Sequence, residues 1–347
     1  MSSILLLLLA IRILPAGDIP SKQPQMAAIA RMVGLTYGAG NTVYFTRSDN
    51  GGVNFEPPTV VSGQGVLSLG MHRGPRIAFA GEAIIIAAVV GDKGKGADGD
   101  LLAWRSLDHG KTWSSPVKIN DVLGAAREGL HSMASDGKDL LFATWLDLRD
   151  KGTRLYGSAS RDGGVTWSKN VLVYASPSGS VCQCCHPTVT IAPNGQINIM
   201  FRNELEGARD MYVVSSLDGG SSFKAVGKLG AGTWILNACP MDGGGMAVDA
   251  SGRVATVWRR EKSIFSAGLG QREDSLGYGK DGTIAAGSGG LYFAWSTPEG
   301  VQARVPGKQD AVLIGPKGAY PQLLALNDGS VLATWENEGA IVVQKLP

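Results

Sequence analysis

Three of the four cysteines in this chain fall within four residues, in Val181-Cys182-Gln183-Cys184-Cys185-His186-Pro187. The fourth sits in Asn237-Ala238-Cys239-Pro240-Met241. Thiolate, imidazole and thioether are the donors that copper or zinc takes. A metal-binding or redox site would draw on His72, His131, His186, Cys182, Cys184, Cys185, Cys239 and Met241. The C-x-C-C-H spacing is not a zinc-finger pattern. An even cysteine count in an exported chain equally fits one or two disulfides pinning loops, for instance Cys239 to one of the cluster. A second set of residues is charged: Asp147-Leu148-Arg149-Asp150, Arg202-Asn203-Glu204 with Arg209-Asp210, and Arg259-Arg260-Glu261. Guanidinium forks hold anionic or sugar ligands and carboxylates do acid/base work, whereas solvated charge or loop bracing is the plainer reading.

These residues are far apart in sequence, so the fold must bring them together. Seven strand-length apolar runs end in or near a bulky residue: Met32 to Tyr37, Ile84 to Val90, Leu140 to Trp145, Ile197 to Phe201, Val254 to Trp258, Leu291 to Trp295 and Val331 to Trp335. Several follow a hairpin dipeptide such as Asp136-Gly137, Asn194-Gly195 or Asp328-Gly329. A turn motif recurs among them. Ser160-Arg161-Asp162-Gly163-Gly164-Val165-Thr166-Trp167 and Ser106-Leu107-Asp108-His109-Gly110-Lys111-Thr112-Trp113 share it fully. Ser216 to Phe223 carries Phe for Trp, and Ser48 to Phe55 carries Asn50 at the Asp position. The steps from Asn50 to Asp108, Asp162 and Asp218 are 58, 54 and 56 residues. A near-constant period of that size signals a repeat architecture.

The combination predicts an all-β fold, a single β-propeller of four-stranded blades, with seven blades at 24–64, 74–120, 130–175, 186–230, 244–281, 282–316 and 319–347. Six blades result if 244–281 and 282–316 form one irregular blade. The last blade shows three strands, and residues near 17–23 are expected to supply its fourth. Counting back from the bulky end of each second strand, Arg76, His131, His186 and Tyr320 fall fourteen or fifteen residues earlier and should face one axis. His72 lies four residues before Arg76, in an entry loop. The cysteine segments lead into blades 4 and 5, so the donor set should crowd one mouth of the channel.

The motif S-x-D-x-G-x-T-W resembles the Asp-box, or BNR repeat, of the sialidase-like β-propellers. In that superfamily the Asp-box is a structural turn on the rim, away from the active site. The resemblance implies a glycan-directed protein, either a diverged glycoside hydrolase or a carbohydrate binder. In sialidases three arginines hold the substrate carboxylate, a Tyr paired with a Glu is the nucleophile, and an Asp of the early blades is the acid/base. Arg76, Arg149 and Arg202 are the candidate arginines here and Tyr320 the candidate tyrosine. The chain departs from the pattern in blade 1, where Gln23-Pro24-Gln25-Met26 replaces the arginine entry motif and Tyr37-Gly38-Ala39-Gly40 offers no carboxylate. The acid/base Asp, and with it the classical catalytic set, is therefore not assignable. An exo-sialidase-like hydrolase, a metal or redox propeller using copper or zinc, and a non-catalytic interaction scaffold all remain open.

Composition narrows the partners. Of 347 residues 18% are charged and 44% hydrophobic, with 49 glycines and a net charge of +2. No basic run invites nucleic acid, and a carbohydrate ligand is what the resemblance implies. Residues 4–14 form an apolar block too short to span a bilayer. It resembles the core of a signal peptide over 1–16, with the propeller over 17–347, no membrane span in the mature chain, and a secreted or periplasmic location. A hydrophobic N-terminal strand is the other reading of that block.

Overall fold

The computed structural model describes residues 10–13 and 18–347. Among them there are strands and no helix, and the strands form seven sheets. Each sheet is antiparallel, and in blade 2 a fifth short strand, Val66–Leu67, pairs with the end of the second strand. Blade 1 runs Ser21–Ile29, Met32–Ala39, Thr42–Ser48 and Thr59–Ser62, and blade 2 runs Arg76–Ala80, Ala83–Gly91, Asp100–Ser106 and Val117–Lys118. Blade 3 begins at His131–Ser135, blade 4 at Thr188–Ile191, blade 5 at Gly245–Val248, blade 6 at Lys280–Gly287 and blade 7 at Ala319–Ala325. The first strand of each blade touches the first strands of both neighbours, from blade 1 round to blade 7 and back. The ring therefore closes at seven, and the two short blades at 245–278 and 280–316 are separate sheets.

The closing strand is not the expected one. Residues 21–29 open blade 1, and the fourth strand of blade 7 is Ile11–Ile13, paired antiparallel with Val343, Val342 and Ile341. This pairing across the seam gives blade 7 a short outer strand in place of an exposed Ile341 to Val343 ladder. Ile11–Ile13 lies inside the segment read as a leader; residues 1–9 and 14–17 of that segment lie outside the described residues.

There is no single central core. Seven apolar clusters lie one at each blade interface, for example Phe45 with Ile84 and Ile86 between blades 1 and 2, and Phe142 with Ile197 and Ile199 between blades 3 and 4. A blade is thus covered on both faces. That is why second strands read as unbroken apolar runs, such as Ala83 to Val89, instead of alternating. Trp145, Trp258, Trp295 and Trp335, at the ends of second strands, are all buried.

The Asp-box turns join third to fourth strands and bind adjacent blades. In blade 3 the Ser160 hydroxyl donates to Asp162 (2.8 Å) and accepts from the Gly164 amide (2.9 Å). Asp162 accepts from the amides of Val165 (3.1 Å) and Thr166 (2.9 Å) and from the Thr166 hydroxyl. In blade 2 the hydroxyl and amide of Thr112, with the Ser106 hydroxyl, hold the Asp108 carboxyl below its usual range. Each box then meets the previous blade. Gly52, Gly110, Gly164 and Gly220 press against Leu332, Phe45, Ile85 and Phe142. Arg47, Arg105 and Arg161 donate across the same seams to the carbonyls of His109 (3.2 Å), Gly163 (2.8 Å) and Gly219 (2.8 Å).

Gly164 has φ of 84°, and a Cβ there would stand 2.7 Å from Ile85 Cγ1. Gly195, with φ of 83°, faces open space. Gly195→Ala should cost about 1–2 kcal/mol for the left-handed backbone alone. Gly164→Ala should cost about 1–3 kcal/mol more for the overpacked seam. Urea unfolding of the two variants checks this; equal losses would show that the box does not pack between blades.

Candidate active site at the channel mouth

The entry ends of the first strands carry unusual backbone. Gln23, His72, Met241, Asp281 and Tyr320 all have positive φ, between 53° and 68°. In blades 1, 6 and 7 this residue sits in a register break: between Lys22 and Gln25, between Lys280 and Thr283, and between Ala319 and Gln322. A bulge re-aims its side chain, and each left-handed non-glycine residue costs about 1–2 kcal/mol. Strain repeated at equivalent positions around one axis makes this mouth the candidate site.

The re-aimed side chains meet. His72 Nε2 is 2.9 Å from Asp281 Oδ1, and the amide of Asp281 donates to Asp242 Oδ2 (2.9 Å). The rings of His72 and His186 stack with centroids 4.3 Å apart, and Tyr320 meets His72 edge-on at 5.2 Å. His72, Asp242 and Asp281 are all buried and offer donor atoms within 4.8 Å of one another. Asp242 Oδ1 and His186 Nδ1 are buried without a hydrogen-bond partner, the condition of groups awaiting a ligand or water, and Asp281 Oδ2, also without a hydrogen bond, faces Lys280 Nζ at 3.8 Å. A polar cavity of about 190 Å³ opens beside them, lined in part by Gln25, His72, Arg76, His186, Asp281 and Gln322.

The two carboxyls differ. Burial, then the charge of Asp281, raises the proton affinity of Asp242. Burial also pushes Asp281 up, but the hydrogen bond and charge of His72 and the charge of Lys280 outweigh it and hold Asp281 below the usual range. Burial raises Tyr320, helped by Asp281 and Glu336. Glu336 is itself raised by burial, although the amide and side chain of Gln23 both donate to its Oε1 at 2.8 Å.

The arginines behave differently from expectation. Arg76 lines the cavity but donates to the carbonyls of His72 (2.6 Å), Pro75 (3.0 Å) and Gly74 (3.3 Å). Burial lowers it to about 10. Arg202 donates to the carbonyls of Asp242 (3.0 Å), Arg209 (2.6 Å) and Arg259 (2.8 Å). Arg149 is taken up by Asp147, Asp121 and Asn170 under the Tyr156 ring, away from the cavity. Of the three, Arg76 alone is at the cavity; Arg202 braces the loop of Asp242 and Arg149 braces a loop end.

The donor set expected to form one site divides in two. His72 and His186 join the carboxylates. Cys182, Cys184 and Cys185 form a separate buried group with Met241 packed against them, and Cys239 is exposed beside Cys184. All four cysteines are free thiols. The Cys184 and Cys185 thiols hold Cys182 down to about 3. Burial pushes Cys185 well up. His131 belongs to neither group: its ring is buried against the carbonyls of Ala87 (3.2 Å) and Gly129 (3.3 Å). Asp242, Asp281 and Glu336 are absent from the sequence-derived set. A signal existed, since Asp281 stands fourteen residues before Trp295, the interval that separates His131 from Trp145.

A profile of the BNR repeat-like domain matches residues 77–233, the stretch that holds three of the four boxes. That stretch resembles BNR repeats, and the whole chain has the fold of a seven-bladed β-propeller. Solved structures agree on this propeller. The α-L-arabinanase of Penicillium chrysogenum, complexed with arabinobiose, superposes with a TM-score of 0.57 at 15% identity, covering 98% of this chain and 97% of that one. The leech intramolecular trans-sialidase, complexed with 2,7-anhydro-Neu5Ac, gives 0.60 at 11% identity over 98% and 70%. The α-L-arabinofuranosidase Arb93A of Fusarium graminearum, complexed with an iminosugar inhibitor, gives 0.54 at 15% over 98% and 97%. No curated protein matches the chain by sequence.

In this propeller burial, then the charge of Arg76, lowers His131 from 6.5 to about 3. Between those values the unfolded chain binds a proton that the folded chain refuses. Stability should therefore fall as pH drops through that window, by up to about 1.4 kcal/mol per pH unit from this ring. His131→Leu should flatten the dependence by that amount in urea unfolding at about pH 7 and about pH 4.5. An unchanged slope would mean that the folded ring protonates normally.

Proposed function

We propose that this propeller is a glycan-directed protein, a diverged glycoside hydrolase that takes a carbohydrate at the axial mouth. The observation that carries the reading is the buried pair Asp242 and Asp281: Asp281 lines the cavity, its amide donates to Asp242 Oδ2, and the two carboxyls are shifted in opposite directions, Asp242 up by burial and Asp281 down by His72. Two carboxyls pushed apart in proton affinity is how one site supplies an acid and a base together. Asp242, the carboxyl of higher proton affinity, is the general acid. Asp281, ionised against His72, faces the positive charge that develops at the anomeric carbon. Oxygens of the pair lie within 4.8 Å, nearer the roughly 5–5.5 Å carboxyl separation of retaining enzymes than the wider gap of inverting ones. Tyr320 stays neutral and presents an aromatic edge and a hydroxyl at the rim. The sugar ligands named for the arabinanase, trans-sialidase and arabinofuranosidase structures favour the same substrate class.

Release of nitrophenol from a panel of aryl glycosides, including α-L-arabinofuranosides and sialosides, tests the reading. Asp242→Asn and Asp281→Asn should each lower kcat by about a hundredfold or more. The wild-type profile should be bell-shaped, and Asp242→Asn should lose its alkaline limb, because the proton that Asp242 gives up at higher pH is the one that limits it. Product NMR should show retained configuration. A protein that cleaves no glycoside and shows no heat of carbohydrate binding by calorimetry would sink the proposal.

A further inference from the structure

The thiol group is unused by the carboxylate site and has its own geometry. Cys182, Cys184 and Cys185 occupy one tight turn at the entry to blade 4, and their sulfurs lie within 4.8 Å of one another, all buried. Cys182 Sγ stands 3.8 Å from Cys184 Sγ and 2.9 Å from Cys185 Sγ. The turn is anchored, since the Cys182 amide donates to the Arg202 carbonyl (3.1 Å) and Val181 bridges to Asn203. Cys239, exposed on the entry loop of blade 5, lies next to Cys184 and outside the three-sulfur group. The three thiols make a cluster of their own with Met241, apart from the seven inter-blade clusters. Apolar packing alone has no need of three adjacent thiols, which offer less buried surface than Leu or Val.

We propose that Cys182, Cys184 and Cys185, with Cys239 as fourth ligand, form a thiolate site for a soft d10 cation, zinc(II) or copper(I), which ties the entry loops of blades 4 and 5 together. Zinc–thiolate bonds of about 2.3 Å in a tetrahedron place sulfurs about 3.8 Å apart. Cys182 and Cys184 stand at that spacing, and Cys185 needs to swing out by roughly 1 Å. Each thiol gives its proton to solvent as it binds, and no electron is transferred. Four thiolates on zinc(II) leave a net charge of −2, and the guanidiniums of Arg202 and Arg209 lie close enough to offset it. An all-sulfur set excludes magnesium and calcium, which take oxygen donors. Cys239 is three residues before Asp242, so the cation would also fix the segment that carries this carboxyl. The site stands independently of the glycan reading.

Metal analysis of the full chain, purified anaerobically without a metal-affinity resin, should find about one zinc or copper per chain, the identity separating the two cations. Cobalt(II) substitution should give a thiolate-to-metal charge-transfer band in the near ultraviolet. Cys239→Ser, an exposed position that folding should tolerate, should weaken retention against a chelator by roughly tenfold or more and change the cobalt spectrum. The combined Cys182→Ser, Cys184→Ser and Cys185→Ser variant should bind none, with circular dichroism confirming its strands. Three results would overturn the proposal. One is anaerobic protein with four titratable thiols that takes up neither metal. Another is a Cys182–Cys185 disulfide in the same preparation, found by mass spectrometry. The third is metal retained undiminished in both variants.

Discussion

Closure of the ring governs everything else in this molecule. Each blade is covered on both faces by its neighbours, so no blade has a core until the next has docked. The seams are filled by second-strand residues such as Phe142, Ile85 and Leu332, and the Asp-box glycines close them from outside. A seventh sheet with an open face would leave two apolar surfaces wet. The pairing of Ile11–Ile13 with Val343 to Ile341 completes the last blade at that point. Convergence of the seven first strands follows from closure, and the site exists because of that convergence.

A site built at the axis needs side chains turned away from their strand's own alternation. Left-handed residues at Gln23, His72, Asp281 and Tyr320 achieve this at a cost in backbone strain. Buried guanidiniums hold the strained loops. Arg76 collects three carbonyls around the His72 turn, and Arg202 collects three more, including that of Asp242. Fixed dipoles of this kind solvate a buried cation without a carboxylate partner. Burial and the charge of Asp281 then raise Asp242, while His72 and Lys280 hold Asp281 down, and the two carboxyls part in proton affinity.

Much of the architecture was legible in the sequence because its signals are local. An Asp-box satisfies its own hydrogen bonds within eight residues, and a doubly covered strand must be apolar throughout. Register counting pointed Arg76, His186 and Tyr320 toward one axis, with His72 in the loop before Arg76, since position along a blade fixes distance from the axis. It failed where the same residue type serves two purposes. Asp242-Gly243 and Asp281-Gly282 have the composition of ordinary turns, and only the fourteen-residue interval from Asp281 to Trp295 sets one of them apart. Arg149 and Arg202 read as ligand-binding because the carbonyls and carboxylates that occupy them come from elsewhere in the chain. His131 has the right register but the wrong side, with its ring buried against Ala87 and Gly129. The apolar N-terminal block was ambiguous for a physical reason, since leader and strand both require a short run of Leu and Ile.

The thiol turn and the carboxylate pair are joined mechanically by one residue. The backbone carbonyl of Arg202 accepts from Cys182, while its side chain donates to the carbonyl of Asp242. Its charge reaches Cys182 and Cys185 on one side and Asp242 on the other. A cation gathering the thiolates would add negative charge next to Arg202 and weaken its hold on a proton-bearing neighbour less than on an ionised one. Filling the thiol site should therefore favour the protonated form of Asp242. Structural bracing and acid strength would then be set by the same guanidinium.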